Sequence, residues 1–186
     1  MKRLITIIML VLSIGGFVSC TNSNDPVEIL RERINNAEMV EYVDSIYGAK
    51  LLFPCFFQVD SIGKYCASFS YSDDNVKELI LEYSILPPRL IDNSKEAVHM
   101  FSDSLTISSK VKKSSFILIQ EYEYFPQIKS VFKYYKTIHG WACYTLTYEK
   151  KYEESVERLI NMVKDWKIYS KDHPEWITDM FDFIDF

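Results

Sequence analysis

The sequence predicts an α+β domain, a mainly antiparallel sheet with flanking helices, placed after a short leader. Three observations carry that expectation. Aromatic and β-branched runs recur from Leu51 to Glu149, and the last four follow one another with only short breaks between them. Helical periodicity is confined to the two ends and to a short stretch after Asn93. Aromatic residues make up 15% of the chain against only five Gly and six Pro, which favours a packed core with short connections over disorder.

The chain opens with Met1-Lys2-Arg3, runs apolar from Leu4 to Leu12 and on to Val18, and then reaches Cys20. A basic start, a short apolar core and small residues before a cysteine describe an export signal, and the apolar run is too short and badly flanked for a permanent span. Phe17-Val18-Ser19-Cys20 resembles the bacterial lipobox, although Phe17 stands where Leu is usual. The resemblance implies cleavage before Cys20 and a lipid on its thiol, hence a membrane-anchored lipoprotein of the bacterial envelope, expected at the outer membrane. Stable anchoring needs more than one acyl chain, which such a cysteine carries. Loss of residues 1–19 removes Lys2 and Arg3 and leaves 19 basic against 26 acidic side chains, a net charge of −7. An acidic domain of this kind attracts neither nucleic acid nor an anionic lipid surface. Residues 20–25 read as lipidated cysteine and polar tether.

Asp25-Pro26-Val27-Glu28 starts a helix, with Asp as cap and Pro at the first helical position. Val27, Leu30 and Ile34, then Met39, Val43, Ile46 and Tyr47, extend a helical face to Gly48, so residues 26–48 are expected as one kinked helix or two short ones. Residues 49–186 are expected as the α+β domain proper. Leu51 to Val59 and Tyr65 to Tyr71 suggest a hairpin turning at Asp60 to Gly63, and Lys77 to Tyr83 alternates with Leu79, Leu81 and Tyr83 on one face. Asn93-Ser94-Lys95-Glu96 starts a short helix. Strands follow at Leu105 to Val111, Ser115 to Tyr124, Ile128 to Ile138 and Trp141 to Glu149, the last two joined through His139-Gly140. Tyr152, Val156, Leu159, Ile160, Val163 and Trp166 form the stripe of a long helix. After Asp172 an amphipathic tail helix sets Trp176, Ile177, Met180, Phe181 and Ile184 against Asp179, Asp182 and Asp185, and that apolar stripe is a candidate surface for docking a partner.

This order of elements, from the hairpin at Leu51 to the helix ending at Trp166, resembles the PsbP-like fold. The resemblance covers roughly residues 50–167 and rests on element order alone. It implies an antiparallel sheet sandwiched by helices, α/β/α, and a non-enzymatic binding or assembly factor, with no catalytic residues to carry over.

Cys55, Cys66 and Cys143 remain beside the lipid site. Cys55 and Cys66 flank the expected turn on one face of a hairpin, which makes them a candidate disulfide; a bond involving Cys143, or buried free thiols, are the alternatives. His99, His139 and His173 stand in no metal-ligand spacing, and no nucleophile elbow, phosphate-binding loop or dinucleotide fingerprint occurs, so no metal or cofactor is implied. Glu121 and Glu123 alternate on one strand as paired acids can, and Ser72-Asp73-Asp74-Asn75 is oxygen-rich, but solvated positions explain both. Lys110, Lys112 and Lys113, with Lys129, Lys133 and Lys136, gather in the strand meander of an otherwise acidic chain, a candidate contact for an acidic partner or glycan. The expected function is a non-enzymatic envelope lipoprotein binding a protein or small ligand; the alternative is a hydrolase of envelope glycan or peptide.

Overall fold

A computed structural model describes residues 25–44, 47–86, 93–102, 105–137 and 140–168. The expectations placed on Cys20, His139, His173 and the tail from Asp172 to Phe186 lie outside the described residues. Among the described residues the architecture is α+β, with two antiparallel sheets and three α-helices: α1 (Pro26–Asn36), β1 (Met39–Val43), β2 (Lys50–Pro54), β3 (Gln58–Ile62), β4 (Cys66–Tyr71), β5 (Leu79–Leu86), α2 (Ser94–Phe101), β6 (Thr106–Val111), β7 (Ser115–Glu121), β8 (Ile128–Thr137), β9 (Gly140–Glu149) and α3 (Glu157–Asp165). The large sheet has the order β3-β4-β5-β9-β8-β7-β6, and β1-β2 form a separate pair.

The helical leader is half the expected length. Asp25 caps α1 through a bond from Val27 N–H (3.0 Å), with Pro26 at the first position. At the far end the Arg158 guanidinium takes the carbonyls of Ile34, Asn35 and Ala37 at 2.5, 3.0 and 3.2 Å. The Ile34 carbonyl also accepts from Ala37 N–H (3.3 Å), so the last carbonyls of the helix are satisfied, the helix is closed there and Ala37 turns extended. Met39–Val43, expected as helix, is therefore free to pair with Lys50–Pro54.

The expected hairpin is also redrawn. Pro54 has no N–H to give a ladder, and its carbonyl accepts from Phe57 N–H (2.9 Å), so the run from Leu51 to Val59 breaks into β2 and β3. A bulge between Val59 and Ser61 absorbs Asp60, whose carboxylate takes the Ser70 hydroxyl across the strand at 2.8 Å, and the turn moves to Gly63–Tyr65. The candidate pairing of Cys55 with Cys66 loses its geometry with this change. Gln58 faces Ser70, and Cys66 lies four residues further along β4, about 13 Å away at the strand rise. That exceeds the reach of a disulfide, and Cys55 precedes even Gln58; both thiols are free and exposed.

The other strands fall where alternation puts them. Leu79, Leu81 and Tyr83 are buried, as are Ala142, Tyr144, Leu146 and Tyr148 on the neighbouring β9. This face meets α1, α3 and the β1-β2 pair in the main core, where Phe53 stacks on Phe69 at 4.1 Å. The opposite face of β7, β8 and β9 packs Phe116, Leu118, Tyr134, Trp141 and Cys143 against Ala97, Val98 and Phe101 of α2. Asn93 caps α2 as its sequence requires, its side chain accepting from Glu96 N–H at 2.9 Å. Gly140 takes the positive φ of 123° expected of it, but as the first residue of β9 opposite Thr137. The last helix starts late. Tyr152 donates to the Asn75 carbonyl (2.7 Å) and Ser155 to that of Val27 (2.5 Å), and the segment 150–156 is held as a 3-10 turn followed by a hydrogen-bonded turn; the full stripe from Tyr152 to Trp166 is still buried. Among the described residues no helix is long and apolar enough to cross a membrane.

Candidate functional site: a basic groove beside α3

Because α3 lies over β8 and β9, the outer strands β6 and β7 leave part of the same sheet face open, and a groove runs between them and the helix. Strand register sets its floor. Lys110 faces Ile117 and Ile117 faces Lys133, while one step on Ser108 faces Ile119 and Ile119 faces Val131. Side chains two apart in a strand share a face, so these residues all point toward α3. The helix supplies the wall through Asn161, Lys164 and Asp165, which share one side at i, i+3 and i+4. The basic section encloses about 380 Å³ and is lined by Lys110, Lys112, Lys133 and Lys164 against the single carboxylate of Asp165. Its volume is in the range of small-ligand sites.

Lys133 is only 5% exposed. Its ammonium lies 4.8 Å from the centroid of the Tyr135 ring and 3.5 Å from Ser115 Oγ, a cation held by a ring face and a hydroxyl. Lys112 follows β6 and donates its N–H to the Ser115 carbonyl (2.8 Å), which closes the β6–β7 turn and brings its side chain to the groove mouth. Among the described residues no carboxylate forms an ion pair with Lys110, Lys112 or Lys164. The adjoining section, about 280 Å³, is lined by Ile119, Val131 and Ile160 together with Lys129, Glu153 and Glu157, and there Lys129 and Glu153 neutralise each other at 2.6 Å. Among the described residues, Lys110, Lys112 and Lys164 thus bring positive charge to the end near β6 without an ion-paired carboxylate.

Of the six lysines expected to cluster, the structure brings Lys110, Lys112 and Lys133 together. Lys129 shares their face but is paired one section away, Lys136 belongs to the α2 side of β8, and Lys113 lies exposed in the β6–β7 turn outside the groove lining. Lys164 and Asn161 escaped the sequence reading. Their signal was their place in α3 beside the buried Ile160 and Val163, on the flank that borders an open sheet edge.

The acid and thiol candidates are dispersed. Glu121 pairs with Lys150 at 2.5 Å, and Glu123 lies exposed beyond the end of β7. Among the described residues neither groove section is lined by a histidine or a cysteine. Cys143 is buried, and burial pushes its thiol up to about 12, the wrong direction for a nucleophile. Asp73 accepts from the N–H groups of Asn75 and Val76, both at 2.8 Å, which makes Ser72–Asn75 a side-chain-closed turn. The Tyr71 hydroxyl, ahead of those amides, holds its carboxyl below the usual range. Among the described residues no group of three or more His, Cys, Asp or Glu is placed to hold a metal ion. The chain matches no protein-family model and no curated protein.

Proposed function

We propose that this protein is a lipid-anchored envelope protein with a PsbP-like domain, acting as a non-enzymatic binding module for a small carboxylated or phosphorylated ligand in the groove beside α3. The observation that carries the ligand class is the gathering of Lys110, Lys112 and Lys164 around one cavity, none of them in an ion pair with a carboxylate among the described residues. Like charges gathered around one cavity repel, and an anion seated among them relieves that repulsion while using donors already in place. The flanking of the sheet by helices on both faces supports the fold assignment. The lipobox-like Phe17–Cys20 supports the address.

Two measurements test this reading. Titration with citrate and with pyrophosphate, followed by calorimetry, is expected to show saturable binding that weakens with salt. It should be at least about tenfold weaker in Lys110→Glu/Lys164→Glu, the 1.4 kcal/mol that a lost charge-assisted contact supplies. Both side chains border the groove, so their reversal leaves the core intact. Equal binding by wild type and variant would remove the groove from the argument. For the address, the mass of the protein taken from native membranes should include a diacylglyceryl group on Cys20 that Cys20→Ala lacks.

A further inference from the structure

The two ends of the large sheet differ in what they expose. At one end the β7–β8 loop, the turn after β9 and the start of α1 are tied together. Lys150 N–H donates to the Gln127 carbonyl (2.7 Å), Ser155 Oγ donates to the Val27 carbonyl (2.5 Å), and Arg31 pairs with Glu154 (2.9 Å). The loop at this end holds Tyr124 86% exposed and Phe125 60% exposed. It is braced: Phe125 N–H donates to the Tyr122 carbonyl (3.3 Å), Ile128 N–H donates to the Phe125 carbonyl (2.9 Å), and the Tyr122 hydroxyl donates to Ser130 Oγ (2.9 Å). Two adjacent aromatic rings are thus presented to solvent on a preformed turn.

We propose that this end of the domain docks on the bilayer that carries the lipid, with Tyr124 and Phe125 seated at the head-group level. The proposal rests on the reading of Cys20 as the lipidated residue. Cys20 precedes Asp25 by five residues, a chain that can span at most about 17 Å. Since Asp25 caps α1 at this same end, the anchor keeps the Tyr124–Phe125 tip within reach of the bilayer surface. The Tyr124 ring, with its polar hydroxyl edge, favours that interface, and Phe125 adds apolar area beside it. The braced loop has little order left to lose, and the anchor makes the contact intramolecular, so a weak preference suffices to populate it. Glu123 beside the tip and the acidic balance of the chain direct the contact toward zwitterionic lipid, with apolar burial as its source.

The test uses the full acylated protein, its lipid confirmed by mass, in a Cys55→Ser/Cys66→Ser background; Cys143 is buried and stays unlabelled. A polarity-sensitive fluorophore is placed at Tyr124→Cys or, as a control, at Ile62→Cys. Ile62 is also 60% exposed but stands at the β3–β4 turn, the opposite end of the sheet. In vesicles of phosphatidylcholine and phosphatidylethanolamine the label at position 124 should brighten at least twofold and be quenched by nitroxide-bearing lipid, with position 62 unchanged. Equal signals at both positions, or quenching at neither, overturn the docking while leaving the anchor intact. Brightening only in native membranes assigns the loop to a protein partner and overturns it as well. A protein without the lipid mass overturns anchor and docking together.

Discussion

Raised past pH 10, the protein is expected to unfold in one steep step, with its buried phenols ionising only as it opens. Tyr83, Tyr134, Tyr144 and Tyr148 are between 1% and 6% exposed, and burial is the first cause that raises each above the ordinary value of 10.0. Neighbours add to it: Asp44 beside Tyr83, Cys143 beside Tyr134, and Glu153 then Glu121 beside Tyr148. The Tyr144 hydroxyl also donates to the Leu52 carbonyl (2.7 Å), a bond the phenolate cannot make. A folded pKa above the unfolded one means that the native state holds more protons above pH 10. This contribution to stability is therefore fully present below pH 10 and lost as the pH rises. Each group costs about 1.4 kcal/mol per pH unit, so four cost about 5 to 6, and a domain stable by about 5 to 15 kcal/mol fails within about one to three units. Phenolate absorbance and far-ultraviolet dichroism should change together. Tyr65, held below its usual value by its hydrogen bond with Lys64, should ionise separately and earlier. Smooth phenolate formation under unchanged dichroism would show that these rings are accessible to solvent.

The same rings show how much of the fold was legible. Period-two alternation located Leu79, Leu81 and Tyr83, and Ala142, Tyr144, Leu146 and Tyr148, on one buried face, because a strand in a sheet covered by helices must sort its side chains that way. Caps at Asp25 and Asn93 were legible because their bonds lie within three residues of the cap itself. Long-range partners were not legible. The end of α1 is set by Arg158, more than a hundred residues away, and so the strand Met39–Val43 read as more helix. The bulge at Asp60 and the break after Pro54 likewise depend on which strands become neighbours. For the groove, the lysine cluster was visible as composition. Which of its members converge was decided by strand register, and Lys164 joined them through the packing of α3, information that no local spacing carries.

Trp166→Ala is expected to cost about 3 to 5 kcal/mol, the range for deleting a buried aromatic side chain. Trp166 ends α3 and is 7% exposed. Its ring meets Tyr144, Tyr135 and Tyr83 edge-on at 5.5, 5.8 and 6.0 Å, and its indole N–H donates to the Lys50 carbonyl at 2.9 Å. It thus joins the helix, three strands of the large sheet and the β1-β2 pair at one point. Alanine leaves a cavity among three tyrosines and a carbonyl without its donor, and both losses add. Trp166→Phe separates them: it keeps most of the ring contact, gives up the hydrogen bond, and should cost about 1 to 2 kcal/mol. Urea unfolding midpoints order the three proteins. A cost below about 1 kcal/mol for the alanine variant would mean that the helix is held by the rest of its stripe. The groove provides a second reading of the same change. Asn161, Lys164 and Asp165 are positioned by α3, whose C-terminal end is fixed by Trp166, so loosening that end should weaken citrate binding although no lysine has been touched. If affinity survives while stability falls, the buried residues Ile160 and Val163 alone hold the wall of the groove in place.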